Sequence, residues 1–164
     1  MGGEILGSFY KIVMNSMLIA DLSFPDLSAR VKQLNDDQWY SHDEYIQMLQ
    51  TVAIKVTPLM LKNMGKKLLT AIKPRLVAEG FASTESIMQD VWKPFHSQVR
   101  NVAVGAYMKT LEYSKGKATI GMNNEQPPAY TEGLLRGAVS AYGNTLRNIS
   151  SKVEGDWTIF TIEW

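Results

Sequence analysis

The chain has 164 residues, 45% hydrophobic and 20% charged, the make-up of an ordinary soluble globular domain with enough mass for a sizeable core. Lys plus Arg number 17 and Asp plus Glu 16, a net charge of +1, which argues against a dedicated nucleic-acid or anionic-membrane partner. Cysteine is absent, which excludes disulfides, thiolate metal sites, cysteine nucleophiles and iron–sulfur clusters; with no apolar run long enough to span a bilayer and no basic leader, a cytoplasmic protein is expected.

The first helix is expected from about Glu4 to about Leu18, with Ile5, Phe9, Ile12 and Val13 on one stripe. Pro25 opens a second, short helix through Leu34, which Asn35-Asp36-Asp37 ends with turn formers. Ser41-His42-Asp43-Glu44 has the spacing of a capping box, and the helix it starts buries Tyr45, Met48, Leu49, Val52 and Val56. Thr57-Pro58 is a second start signal, followed by Leu61, Met64, Leu68 and Ile72 at helical spacing. Pro74 is expected to kink or end that helix, and Gly80 to stop it. Ser83 caps a further helix with Ile87, Val91 and Phe95 inward and an interruption at Pro94.

Near residue 100 the period changes to two. Val104, Ala106, Met108 and Thr110 alternate with Gly105, Tyr107, Lys109 and Leu111, which reads as a strand. A turn at Ser114-Lys115-Gly116-Lys117 returns it through Ala118 to Met122. After a polar loop, Thr131 is read as the cap of a helix carrying Leu134, Leu135, Ala138 and Val139, stopped at Gly143-Asn144. Thr145–Val153 and Trp157–Trp164 form a last hairpin around Glu154-Gly155-Asp156. The expectation is one α+β domain over 1–164: a helical half, 1–101, then hairpin–helix–hairpin, 102–164, forming a four-stranded antiparallel sheet.

Chemistry-bearing residues are few. His42 reads as a partly exposed first-turn residue. His96 lies about 100° from the centre of the face set by Ile87, Val91 and Phe95, so it reads as a flanking residue. The carboxylates sit at turns and caps, and no phosphate loop, nucleophile elbow or metal-spaced cluster occurs; no catalytic residue and no metal site is expected. Lys55, Lys62, Lys66 and Lys73 form a basic stripe that reads as a solvated face. Gly133 and Gly137 read as a close approach of their helix to the sheet. Nine methionines, with Trp39, Trp92, Phe95, Tyr107 and Tyr113, suit a soft interior or an adaptable pocket.

Three segments resemble bacterial haem-NO-binding-like domains: Asn35 to Tyr45, with Trp39-Tyr40; Leu61-Lys62-Asn63-Met64-Gly65-Lys66-Lys67; and Glu132-Gly133-Leu134-Leu135-Arg136-Gly137. The superfamily is the NO-signalling/Golgi-transport ligand-binding fold, which also holds 4-vinyl-reductase-like small-molecule domains. The resemblance implies that fold and a sensing role. It also exposes departures. The family's haem-gripping Tyr-x-Ser-x-Arg is missing; the nearest segments read Tyr113-Ser114-Lys115 and Tyr130-Thr131-Glu132. The strand that should carry Pro-Ser-Phe reads Gly105-Ala106-Tyr107. A dianionic cofactor loses its arginine grip there.

The expected function is a non-enzymatic sensor or regulatory domain holding a small apolar or acyl-like ligand, with no cofactor. Met48, Val52, Met64, Leu68, Val91, Phe95, Tyr107 and Leu135 are the expected pocket lining. The alternatives are a haem-based gas sensor using His96, and a ligand-free interaction module. A homodimer or a signalling protein is the expected macromolecular partner, with no nucleic acid and no membrane span.

Overall fold

The N-terminal stripe that reads as one helix folds as a strand and then a helix. A computed structural model describes residues 2–164, and in it Glu4–Leu6 (β1) pairs with Trp39–Ser41 (β2) on one side and Val99–Arg100 (β3) on the other. Ladder hydrogen bonds from two neighbours outweigh the local helical periodicity of residues 4–6. Glu4 lies opposite Arg100 and forms an ion pair with it at 2.8 Å. The helical half thus contains a small antiparallel sheet, order β2-β1-β3, which the sequence reading lacks.

Gly7–Asn15 (α1), Ala20–Ser23 (α2) and Pro25–Lys32 (α3) follow. His42–Lys55 (α4) starts where expected, with Ser41 Oγ accepting the Glu44 N–H at 3.3 Å. The Glu44 carboxylate pairs with Arg30 at 2.6 Å. Pro58–Ala78 (α5) is capped by Thr57, whose Oγ1 accepts the Met60 N–H at 3.2 Å. Contrary to expectation, α5 runs through Pro74. Pro74 and Thr70 are both exposed, so water can reach the Thr70 carbonyl that loses its donor. Beyond the last residue of α5, Ala78, the chain turns at Gly80, φ +98°. There the Phe81 N–H reaches the Leu76 carbonyl and the Gly80 N–H the Val77 carbonyl, a left-handed cap closed by two bonds.

The helix expected over 83–96 is two short ones, Thr84–Met88 (α6) and Trp92–His96 (α7). The break precedes Pro94. Thr110, on the first strand of the main sheet, fills it: Thr110 Oγ1 accepts the Val91 N–H and donates to the Met88 carbonyl, each at 3.0 Å. That strand, Met108–Ser114 (β4), starts later than expected, and Val104 is in an exposed loop.

Lys117–Asn123 (β5), Asn148–Glu154 (β6) and Trp157–Glu163 (β7) complete a four-stranded antiparallel sheet, order β4-β5-β7-β6. Ala118, Ile120, Met122, Phe160 and Ile162 are buried on one face, with Ile120 opposite Phe160 and Ala118 opposite Ile162. Pro128–Ser140 (α8) covers that face. Thr131 is inside α8 rather than its cap, and its hydroxyl accepts from Gln126 Nε2 at 2.8 Å.

The small residues of α8 serve α5 and not chiefly the sheet, which corrects the sequence reading. A Cβ on Gly133 would collide with the Lys62 carbonyl oxygen, and one on Gly65 with the Tyr130 carbonyl oxygen. One on Gly137 would lie 3.0 Å from Leu69 Cβ. Two of the basic-stripe lysines also turn towards α8: Lys62 pairs with Glu132 at 2.9 Å, and Lys73 donates to the Ala141 carbonyl at 2.7 Å. Lys55 and Lys66 remain exposed. Among the described residues no helix is long and apolar enough to cross a membrane. The architecture is α+β, with the expected hairpin–helix–hairpin.

Candidate functional site

The backbones of α5 and α8 meet closely, but the helices and the sheet do not close on each other completely. A cavity of about 100 Å³ remains at the seam of the two halves. Ile5 and Phe9 line it from β1 and α1, Leu68 and Ile72 from α5, Val91 and Phe95 from the α6–α7 segment, and Leu134 and Leu135 from α8. These apolar positions come from elements distant in sequence, brought together by the pairing of β1 with β3 and the fit of α5 on α8.

Of the expected lining, Leu68, Val91, Phe95 and Leu135 meet at this cavity. The other four lie elsewhere. Val52 is fully buried core. Met48 lines a surface groove with Tyr10 and Arg30, and Met64 a separate groove beside Met17 and Met60. Tyr107 packs behind the cavity: its ring is 4.5 Å from the His42 ring and its hydroxyl donates to Asp43 at 3.3 Å. Tyr113, read as interior, lies on the exposed side of β4.

His42 is the main correction. Only 1% of it is exposed, and it lines the cavity. Its backbone N–H donates to the Gly3 carbonyl at 2.9 Å, which pins the start of α4 beneath the N-terminal strand. The ring lies among Tyr45, Phe95 and Tyr107, and burial lowers its pKa to about 4, so it is neutral near pH 7. Its Nδ1 has no hydrogen-bond partner among the described residues. The sequence signal was present: His42, Tyr45, Ile46, Leu49 and Val52 continue one helical stripe.

Gln98 also lines the cavity, 4% exposed. Its Nε2 donates to Glu79 at 2.8 Å and to Ser97 Oγ at 2.7 Å, while its Oε1 has no partner among the described residues. At the α8 end of the cavity Tyr45 and Tyr130 share a buried hydroxyl–hydroxyl bond of 2.7 Å. Burial raises the pKa of both phenols. The lining contains no Lys, Arg, Asp or Glu. No group of three His, Asp or Glu suited to a metal ion occurs among the described residues.

His96 stands outside. It is exposed, with its ring 5.3 Å from that of Trp92, and it does not line the cavity. Haem would need an imidazole facing its iron, cations for its carboxylates and far more room. The cavity offers His42, no cation, and a volume below the roughly 300–1,000 Å³ of sites for larger ligands. As folded here, these residues do not fit haem, and His96 is not placed to ligate it.

No family model matches the chain, and no curated protein matches it in sequence. Solved structures do match in fold. An H-NOX protein from S. oneidensis, in the Fe(II)NO ligation state, superposes with TM-score 0.69 at 14% identity, covering 97% of this chain and 98% of that one. Fe(II) unliganded H-NOX protein from K. algicida gives 0.65 at 14% identity, over 97% and 96%. An oxygen-binding H-NOX domain related to soluble guanylate cyclases, in its oxygen complex, gives 0.60 at 10% identity, over 95% and 89%. The chain thus has an H-NOX-like fold across nearly its whole length, in line with the resemblance carried by Trp39-Tyr40, Gly65 and Gly133.

Proposed function

We propose that this chain is a non-enzymatic sensor domain that holds a compact, mainly apolar ligand in the cavity between its helical half and its sheet. The cavity carries the reading. It is lined mainly by apolar side chains and draws on both halves of the molecule. A space of this size suits a molecule near benzene in bulk; an engineered apolar cavity of about 150 Å³ takes up benzene or xenon. A ligand bridging the halves would favour whichever packing of α5, α7 and α8 fits it best, which is how occupancy becomes a signal.

A second reading is a haem-held gas sensor. The neighbours favour it over the first, because they are described with Fe(II) iron, NO or oxygen. The chemistry of the lining favours the first, because it has no cation for a dianionic cofactor and His96 faces away.

Haemin titration separates the two. Haemin added to the purified chain is expected to give no sharp Soret band. A stoichiometric band abolished by His42→Ala or by His96→Ala would overturn the first reading and install the second.

A further inference from the structure

The charge on α5 is one-sided. From Pro58 to Ala78 it carries Lys62, Lys66, Lys67, Lys73 and Arg75 and no Asp or Glu. Three of these are satisfied within the molecule: Lys62 pairs with Glu132, Lys73 donates to the Ala141 carbonyl, and Arg75 pairs with Glu79. Lys66 and Lys67 are exposed and have no acidic partner among the described residues. Lys67 Nζ reaches only the Ser16 carbonyl, at 3.2 Å.

Those two lysines border an apolar groove. It lies between α5 and the residues linking α1 to α2, with a volume of about 740 Å³, and Met17, Leu18, Ile19, Met60 and Met64 line it. Both lysines belong to the lining, and no Asp or Glu does. Leu18 is fully exposed, and so is most of Leu22 on the adjoining α2. Single exposed leucines are ordinary, but apolar side chains grouped around a groove mark an interaction surface. Methionine suits such a surface because its flexible thioether adapts to the shape of a partner.

Shape and charge select the occupant. The α5 side of the groove extends from Met60 to Ala71, roughly 16 Å or three helical turns at 1.5 Å per residue. A partner helix laid along it would set apolar residues at i, i+3/i+4 and i+7 against the methionines. Carboxylates on the flank of that helix would meet Lys66 and Lys67. A second copy of this chain fits poorly, since a two-fold contact through the groove sets like charges against each other. A bilayer surface is flat and would leave a groove unfilled.

We infer that the groove between α5 and the α1–α2 link docks an amphipathic helix of another protein, apolar on one face and acidic along its flank. The inference goes beyond the ligand reading and stands apart from it. The two sites share α5: Leu68 and Ile72 line the cavity, and Met60 and Met64 line the groove.

The test uses a labelled synthetic peptide of about 16 residues, long enough to span the groove, with leucines at helical spacing and glutamates on the flanks. Its counterpart has lysine at every glutamate position. Fluorescence anisotropy with the full chain is expected to show the acidic peptide binding at least about tenfold tighter than the basic one, and less tightly as salt rises. Lys66→Glu and Leu18→Ser, both at exposed side chains, should each weaken it at least about fivefold, and the Met60 methyl should shift by NMR on binding. No binding, equal affinity for the two peptides, or an affinity undiminished in both variants would overturn the proposal. Cosedimentation with phosphatidylglycerol vesicles that Leu18→Ser abolishes would overturn it in favour of a membrane. A dimer in sedimentation velocity that Leu18→Ser dissociates would overturn it in favour of a second copy.

Discussion

Burial keeps the His42 imidazole neutral down to a pH of about 4, against an ordinary value of 6.5. The sign of the consequence is fixed. Between those values the unfolded chain takes up a proton that the folded chain refuses, so stability falls as pH drops from about 6.5 to about 4 and levels off below. The loss is on the order of 3 kcal/mol at about 1.4 kcal/mol per pH unit. Urea unfolding across that range should show the acid-limb slope in the parent and lose most of it in His42→Leu. An unchanged slope would mean that His42 is hydrated in the folded protein. Asp43, next in sequence, works the other way by favouring the imidazolium, but more weakly than burial disfavours it. The burial of His42 was readable from its place on the Tyr45–Leu49–Val52 stripe. That of Gln98 was not, because it depends on Glu79, at the end of a helix 19 residues earlier.

At the scale of elements, the contact of α5 with α8 does most to join the two halves. It rests on the absence of side chains: Gly65 and Gly133 let each backbone approach the other's carbonyls. Gly133→Ala should cost at least the roughly 1–3 kcal/mol of an overpacked core, because the obstacle is backbone. The same substitution at Gly143, where a Cβ meets nothing but φ is +80°, should cost only the strain of a left-handed residue, about 1 kcal/mol. Chemical denaturation of the two variants would check the order. Most helices and the closing hairpins were legible from caps and periodicity, since Ser41, Thr57 and Ser83 act locally. The failures share a cause. β1 exists because two distant strands flank it, the α6–α7 break because Thr110 reaches in from β4, and α5 passes Pro74 because that face is wet. Each is set by surroundings in the folded chain, a partner element or solvent, that a sequence window does not contain.

The whole molecule is two packed halves with a small cavity at their seam. The fold was legible because the order of elements is distinctive and a few motif residues, Trp39, Gly65 and Gly133 among them, sit at its close contacts. Of the residues expected to line a pocket, Leu68, Val91, Phe95 and Leu135 lie together at this cavity. Met48 and Met64 are equally apolar and equally well phased, but α4 and α5 are buried on more than one side, and a sequence stripe does not say which neighbour it faces. The central claim is that the space among Leu68, Val91, Phe95 and Leu135 accepts a guest. A crystal of the chain held under xenon pressure tests it most directly, because xenon enters dry apolar cavities without needing a polar contact. The account predicts one strong xenon site bounded by those four side chains. Density showing the space closed by Phe95 or Leu135, with no xenon there, would contradict it.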